Sequence, residues 1–171
     1  MTDVTVINIE WEIIPFNFEV IKTKNSKSDY GIYQIYGHHP AYGQNALLYI
    51  GQANEQKFGV RLNERWEFIE SCAIPKHIRL GRFLKPKNNN EEEAWLQSHW
   101  GELISDVETI LIKSHAPAFN KKDNTGLFEP GHFNKDILIL NWGDRGALLP
   151  EVSSVRYSYK YWGYEDYLTN P

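Results

Sequence analysis

The sequence predicts an α+β domain, on three observations. Residues 31–51 hold two short runs of β-branched and aromatic residues around a connection rich in Gly, Pro and Asn, which is a hairpin pattern. Residues 54–71, and the stretch from Glu91 to about Lys113, carry apolar residues at helical spacing. Between these helical stretches, residues 73–87 read as a further strand.

Composition frames what the domain can be. The chain has 171 residues, 42% hydrophobic and 23% charged, so one soluble domain with a sizeable core, or one domain plus an extension, is expected. No apolar run reaches the length of a membrane span, and Met1-Thr2-Asp3 opens no leader pattern. The single cysteine, Cys72, excludes an internal disulfide and a Cys-based zinc site, and a reducing cytoplasm is the expected location. A net charge of −4 argues against non-specific nucleic-acid binding by the whole surface, though not against a local basic patch.

Taken in order, residues 4–21 alternate loosely and read as one or two strands, or an apolar lead-in, broken at Pro15. Residues 22–29 are a polar loop. Strands follow at about 31–36 and 46–50, joined through His38-His39-Pro40-Ala41-Tyr42-Gly43-Gln44-Asn45. In the 54–71 helix, Phe58, Leu62, Trp66 and Ile69 form the apolar stripe. Arg61 and Arg65 share another face, where they either serve a site or pair with Glu64 and Glu67 in solvent. Residues 73–87 place Lys76, Arg79, Arg82, Lys85 and Lys87 within twelve positions, a phosphate track or a charged edge strand.

Glu91-Glu92-Glu93 suits a helix start, and Gly101 or Ser105-Asp106 is a candidate break. Ser105 and Glu108 have capping-box spacing, which offers Glu108 a purely structural role. Pro117 ends the helix. Residues 120–135 read as a loop, 137–142 as a strand, 143–146 as a turn and 155–162 as another strand.

One order of motifs is more specific than any of its parts. Gly31-Ile32-Tyr33 is followed by Tyr49-Ile50-Gly51, then a helix bearing Arg61, then Glu108 with Leu111-Ile112-Lys113, and His115-Ala116-Pro117-Ala118-Phe119-Asn120. Over residues 30–121 this resembles the GIY-YIG nuclease family, which includes the nuclease domain of the bacterial excision-repair incision subunit and some homing and restriction endonucleases. The resemblance implies a small three-stranded antiparallel sheet flanked by helices. Residues 1–29 would be an extension packed on it. Residues 122–171 would be a β-rich C-terminal extension of the same globule.

The resemblance also implies DNA cleavage with one Mg²⁺ or Mn²⁺ ion, with RNA left open as a substrate. It carries over Tyr33, Tyr49, Arg61, Glu108 and Asn120 as site residues, with Glu108 holding the metal. Arg65 rivals Arg61, and it stands where the family often has His or Tyr. His77 is an accessory candidate, and Arg79, Arg82 and Lys85 are candidate nucleic-acid contacts. The connection between Tyr33 and Tyr49 is longer than in compact members, which makes it a candidate for substrate choice. Gln52 stands where some members have Lys. A catalytically silent nucleic-acid-binding or protein-interaction module of the same fold is the alternative.

The chemistry is sound in itself. Phosphodiester hydrolysis needs an activated water, a cation at the developing charge and help for the leaving oxygen. A single carboxylate suits a hydrated Mg²⁺ ion. An arginine can grip two phosphate oxygens. A phenol is a weak base unless its pKa is brought down, and the sequence does not choose between Tyr33 and Tyr49 for that role.

Overall fold

The computed structural model describes residues 4–71, 74–84, 100–120, 133 and 135–158. Among these, the strands are β1 (Val4–Pro15), β2 (Gly31–His39), β3 (Gly43–Ala53), β4 (Ile74–Phe83), β5 (Asp136–Gly143) and β6 (Glu151–Ser153). The helices are α1 (Phe18–Lys22), α2 (Phe58–Glu64), α3 (Trp66–Ser71) and α4 (Trp100–His115), with a 3-10 turn at Ser154–Tyr157.

All six strands form one sheet in the order β3-β2-β4-β1-β5-β6. This corrects the expected fold class, a small three-stranded sheet flanked by helices. The antiparallel trio β3-β2-β4 is present, but it is one half of a larger mixed sheet. β1 is no lead-in: it lies inside the sheet, antiparallel to β4 and parallel to β5. Parallel partners have no short turn between them to announce the pairing, and Val4 and Asp136 meet across most of the chain.

The two faces of the sheet are covered differently. On one face, Leu103, Ile104, Val107, Ile110 and Leu111 of α4 pack on Ile9, Trp11, Ile32, Ile50 and Ile139. On the other, Ile21, Phe58, Leu62 and Ile69 of α1–α3 pack on Tyr33, Ile35, Leu48, Ile78 and Leu80. Alternation along β2 therefore sends Tyr33 to the α2–α3 side and Gln34 to the opposite one. Asn17 turns the chain after Pro15, its Oδ1 accepting from the backbone of Glu19 at 2.9 Å and Val20 at 3.3 Å as the N-cap of α1.

Several local expectations change. The single helix over 54–71 is two short ones meeting at Arg65. The long hairpin connection is absorbed by strand: β2 runs to His39 and β3 starts at Gly43, with register shifts that take up the extra residues. His39 closes this turn, its Nδ1 accepting from the backbone N–H groups of Ala41 and Tyr42. Neither Gly101 nor Ser105-Asp106 breaks α4. The strand expected over 155–162 begins as a 3-10 turn, and its remainder from 159 onward lies outside the described residues. So do Cys72, Lys85, Lys87 and the expected helix start at Glu91–Glu93. No described helix is long and apolar enough to cross a membrane.

Candidate active site

Tyr33 and Tyr49 come together through the hairpin register. Tyr33 lies opposite Gly51, and Tyr49 opposite Ile35. The two rings have centroids 6.1 Å apart and an interplanar angle of 31°. Tyr33 is 2% exposed, whereas Tyr49 is half-buried against the Phe68 ring of α3. Burial holds the Tyr33 phenol far above its ordinary pKa, and Tyr49 and Glu108 push it further. Arg61 and Arg65 act on it in the opposite sense. Tyr49, Arg61, Arg65 and Glu108 are thus the charged and polar groups whose fields reach this buried hydroxyl.

Glu108 reaches the site from α4. Its Oε2 accepts a 2.6 Å hydrogen bond from Nε2 of Gln52, the residue after Gly51. The Ser105 hydroxyl lies 3.2 Å from Gln52 Oε1 and 3.1 Å from the Gly101 carbonyl one turn back. Ser105 and Glu108 are therefore not a capping box: both lie inside a continuous helix and meet the same glutamine. Arg61 donates from Nε to the Gln52 carbonyl at 3.2 Å. Arg65 is exposed at the end of α2.

Asn120 holds the edge of the sheet. Its Nδ2 donates to the Ile50 carbonyl at 2.8 Å, and its Oδ1 accepts from the Ile50 N–H at 2.9 Å. The backbone N–H of Phe119 adds a bond to Leu48 O at 2.8 Å. The segment after α4 therefore pairs with β3 as a short extra strand would, and the side-chain amide of Asn120 supplies one rung. Replacing Asn120 by alanine would strand two buried backbone groups at roughly 1–3 kcal/mol each. The Asn120→Ala protein is expected to lose roughly 2–4 kcal/mol in urea denaturation. Asn120→Asp should not restore it, because a second oxygen would then face the Ile50 carbonyl. Unchanged stability of the alanine variant would refute the clamp.

Beside these groups lies an open cleft of about 410 Å³, lined by Gln52, Asn54, Glu55, Gln56, Arg61 and Ser105. Ser105 and the 54–56 loop carried no signal for a site in the sequence; only the fold brings them to Gln52 and Arg61. A cation at Glu108 would take a single hard oxygen from the protein, and water and a phosphate oxygen would complete its shell. That donor set suits Mg²⁺ or Mn²⁺. Among the described residues, no group of three His, Cys, Asp or Glu side chains could hold a metal.

The other candidates lie elsewhere. His77 stacks on Tyr36 at 4.9 Å, and the Tyr36 hydroxyl bonds Gln34 on the face opposite Tyr33. Arg79 and Arg82 do not form a row. Three positions apart on one strand, they face opposite sides of the sheet. Arg79 lies over the Tyr36 ring and donates to the Asp144 carbonyl. Arg82 lies on the α2 side, near Phe58, and is bound to Asp29 at 2.6 Å and Glu12 at 2.8 Å. Burial alone would raise the Asp29 carboxyl, but hydrogen bonds from Arg82 and Ser26 outweigh it and hold it below the usual range. Arg82 thus neutralises a buried carboxylate rather than offering its charge to a phosphate. Lys85 lies outside the described residues.

Compared with models of known protein families, with curated proteins and with solved structures, the chain matches none.

Proposed function

We propose that the chain is a metal-dependent endonuclease of the GIY-YIG type, hydrolysing phosphodiester bonds in DNA. The observation that carries this reading is the pairing of Tyr33 with Tyr49 across the hairpin, with Glu108 and Arg61 both bonded to Gln52 next to Gly51, beside an open cleft.

The residues divide the work by position. The Nε bond of Arg61 to the Gln52 carbonyl fixes the guanidinium while leaving its terminal nitrogens for a phosphate. The Gln52 amide orients the Glu108 carboxylate. A divalent cation held by Glu108 would offset the negative charge that builds on the phosphate oxygens. Tyr33 stays protonated at neutral pH because its burial opposes the phenolate. Its role is therefore to donate a hydrogen bond that positions the attacking water. Tyr49, the less buried of the pair, is the group placed to draw a proton from that water. The water oxygen bonds to phosphorus as its proton passes to the Tyr49 hydroxyl, which gives its own proton to solvent; the bond to the leaving oxygen breaks, and that oxygen takes a proton from solvent water.

The test is nicking of supercoiled plasmid, single-stranded DNA and RNA in Mg²⁺ or Mn²⁺, with a chelator control. Relaxed circles are expected only with metal. No cleavage of any form by folded, metal-supplied protein would overturn the reading. Within an active enzyme, Tyr49→Phe should lower kcat about a hundredfold or more, the range of a lost general base. Tyr33→Phe should lower it only about tenfold, the value of one hydrogen bond. The reverse ranking would exchange the two roles.

A further inference from the structure

A second cleft, of about 220 Å³, adjoins the first and has a different lining. Tyr30, Trp100 and Ile104 give it an apolar wall, and Lys57 stands at its side. Asn54, Glu55 and Gln56 border both clefts, so the two are separated only by that loop. We propose that this second cleft receives one unpaired nucleobase of the strand being cut, next to the phosphate held at Arg61. The proposal rests on the nuclease reading and specifies how that site grips its substrate.

The ring geometry supports it. Tyr30 and Trp100 meet edge to face, with centroids 5.7 Å apart at 74°, and Phe83 braces Trp100 from 5.2 Å. Two perpendicular, braced rings form a rigid corner for a planar ring system. Stacking on such rings does not depend on which base is present. The Lys57 ammonium lies over one face of the Tyr30 ring, 5.1 Å from its centre, held by the Lys27 carbonyl at 3.1 Å. It therefore brings positive charge to the aromatic cleft for a backbone phosphate, and leaves a base the other face of Tyr30 or the Trp100 ring.

The rim is polar where a base edge needs it. Asn54 donates its amide N–H to Gly101 O at 2.9 Å, which fixes the side chain. Glu55 holds a left-handed backbone, φ 61°, that glutamate adopts only at a cost, and it borders both clefts. Trp100 precedes Glu108 by eight residues on α4, about 12 Å along the helix axis at 1.5 Å per residue. That spacing puts the base within a few nucleotides of the scissile phosphate. A duplex would have to release a base to fill the cleft, whereas a single strand, flap or mismatch offers one already unpaired.

The experiment measures binding of a labelled single-stranded oligonucleotide in chelator, where nothing is cut, by fluorescence anisotropy. The comparison ligand is a fully abasic strand with the same number of phosphates. Wild-type protein is expected to bind the intact strand roughly tenfold more tightly, which corresponds to one stacked base. Tyr30→Leu should remove most of that difference without changing affinity for the abasic strand, and Tyr30→Phe should retain it. Equal affinity of the wild type for the two strands would overturn the proposal, even if Tyr30→Leu does not fold. Displacement by a nucleoside monophosphate at concentrations similar to the oligonucleotide would also overturn it, assigning the cleft to a free nucleotide. Base-dependent binding without cleavage would sink the nuclease reading alone. Cleavage without base-dependent binding would sink this proposal alone.

Discussion

Glu108→Gln is expected to leave the protein folded and to reduce metal-dependent nicking by at least about a hundredfold, the upper loss seen when a mere supporting group of a metal ligand is removed. The substitution is nearly isosteric. A glutamine carbonyl at position 108 can still accept the Gln52 amide, which now lies 2.6 Å from Glu108 Oε2. The surroundings of α4 should not move, since Val107 and Ile110 on either side keep their place in the core. What the variant lacks is negative charge. A neutral amide oxygen cannot compete with water for a doubly charged cation as a carboxylate does. The melting temperature should therefore stay within a degree or two of wild type while nicking disappears. Glu108→Ala should lose activity to the same extent and also release Gln52. Equal cleavage by wild type and Glu108→Gln would remove Glu108 from the site. A large fall in melting temperature would instead make the Gln52–Glu108 contact chiefly structural.

The candidate site was more readable in the sequence than the fold around it, for a physical reason. Tyr33 and Tyr49 belong to one hairpin, and Arg61 follows on the next helix. Local pairing and helical period place such residues without knowledge of the rest of the chain. Glu108 and Asn120 were found through motif order alone, and each had an ordinary local explanation. The fold removes the capping-box explanation, because Ser105 sits inside α4 with its hydroxyl near Gly101 O and Gln52 Oε1. It also shows that Asn120 works as a backbone mimic, a role no composition or periodicity carries.

The sheet was misjudged where its contacts are non-local. β1 pairs with β4 and β5, each more than sixty residues away, and no turn marks either pairing. The basic run reads equally as a phosphate track or a charged edge strand, and strand alternation separates its two described arginines. Arg79 and Arg82 are an odd number of positions apart, so a strand must send them to opposite faces. Asp29 could not be identified as the partner of Arg82 beforehand, because it lies in what reads as an ordinary polar loop.

Gly51→Ala is expected to damage the hairpin through collision with side chains rather than through lost backbone freedom. Tyr33 lies directly opposite Gly51, and its ring crosses over the glycine. A Cβ at position 51 would stand 2.5 Å from the Tyr33 hydroxyl oxygen and 2.7 Å from Cε1 of Tyr49. Neither ring is a flexible tail that swings aside: Tyr33 is buried among Leu62, Ile69 and Leu80, and Tyr49 is held by Phe68. Overpacking of this kind costs roughly 1–3 kcal/mol, and the rigidity of both rings argues for the upper end. At roughly 2–4 °C per kcal/mol for a chain of this size, the melting temperature should fall by about 6–12 °C. Nicking should fall with it, because the displaced groups are the two phenols of the proposed site. The argument has an internal control. In a Tyr33→Leu background the obstructing ring is gone, so Gly51→Ala should cost at least about 1 kcal/mol less than it does in the wild type, a coupling typical of residues in contact. If alanine costs the same in both backgrounds, Gly51 is required for its backbone and not to make room for Tyr33. If alanine costs little in either, the two tyrosines do not cross the strand as described, and the proposed pairing of their phenols fails with them.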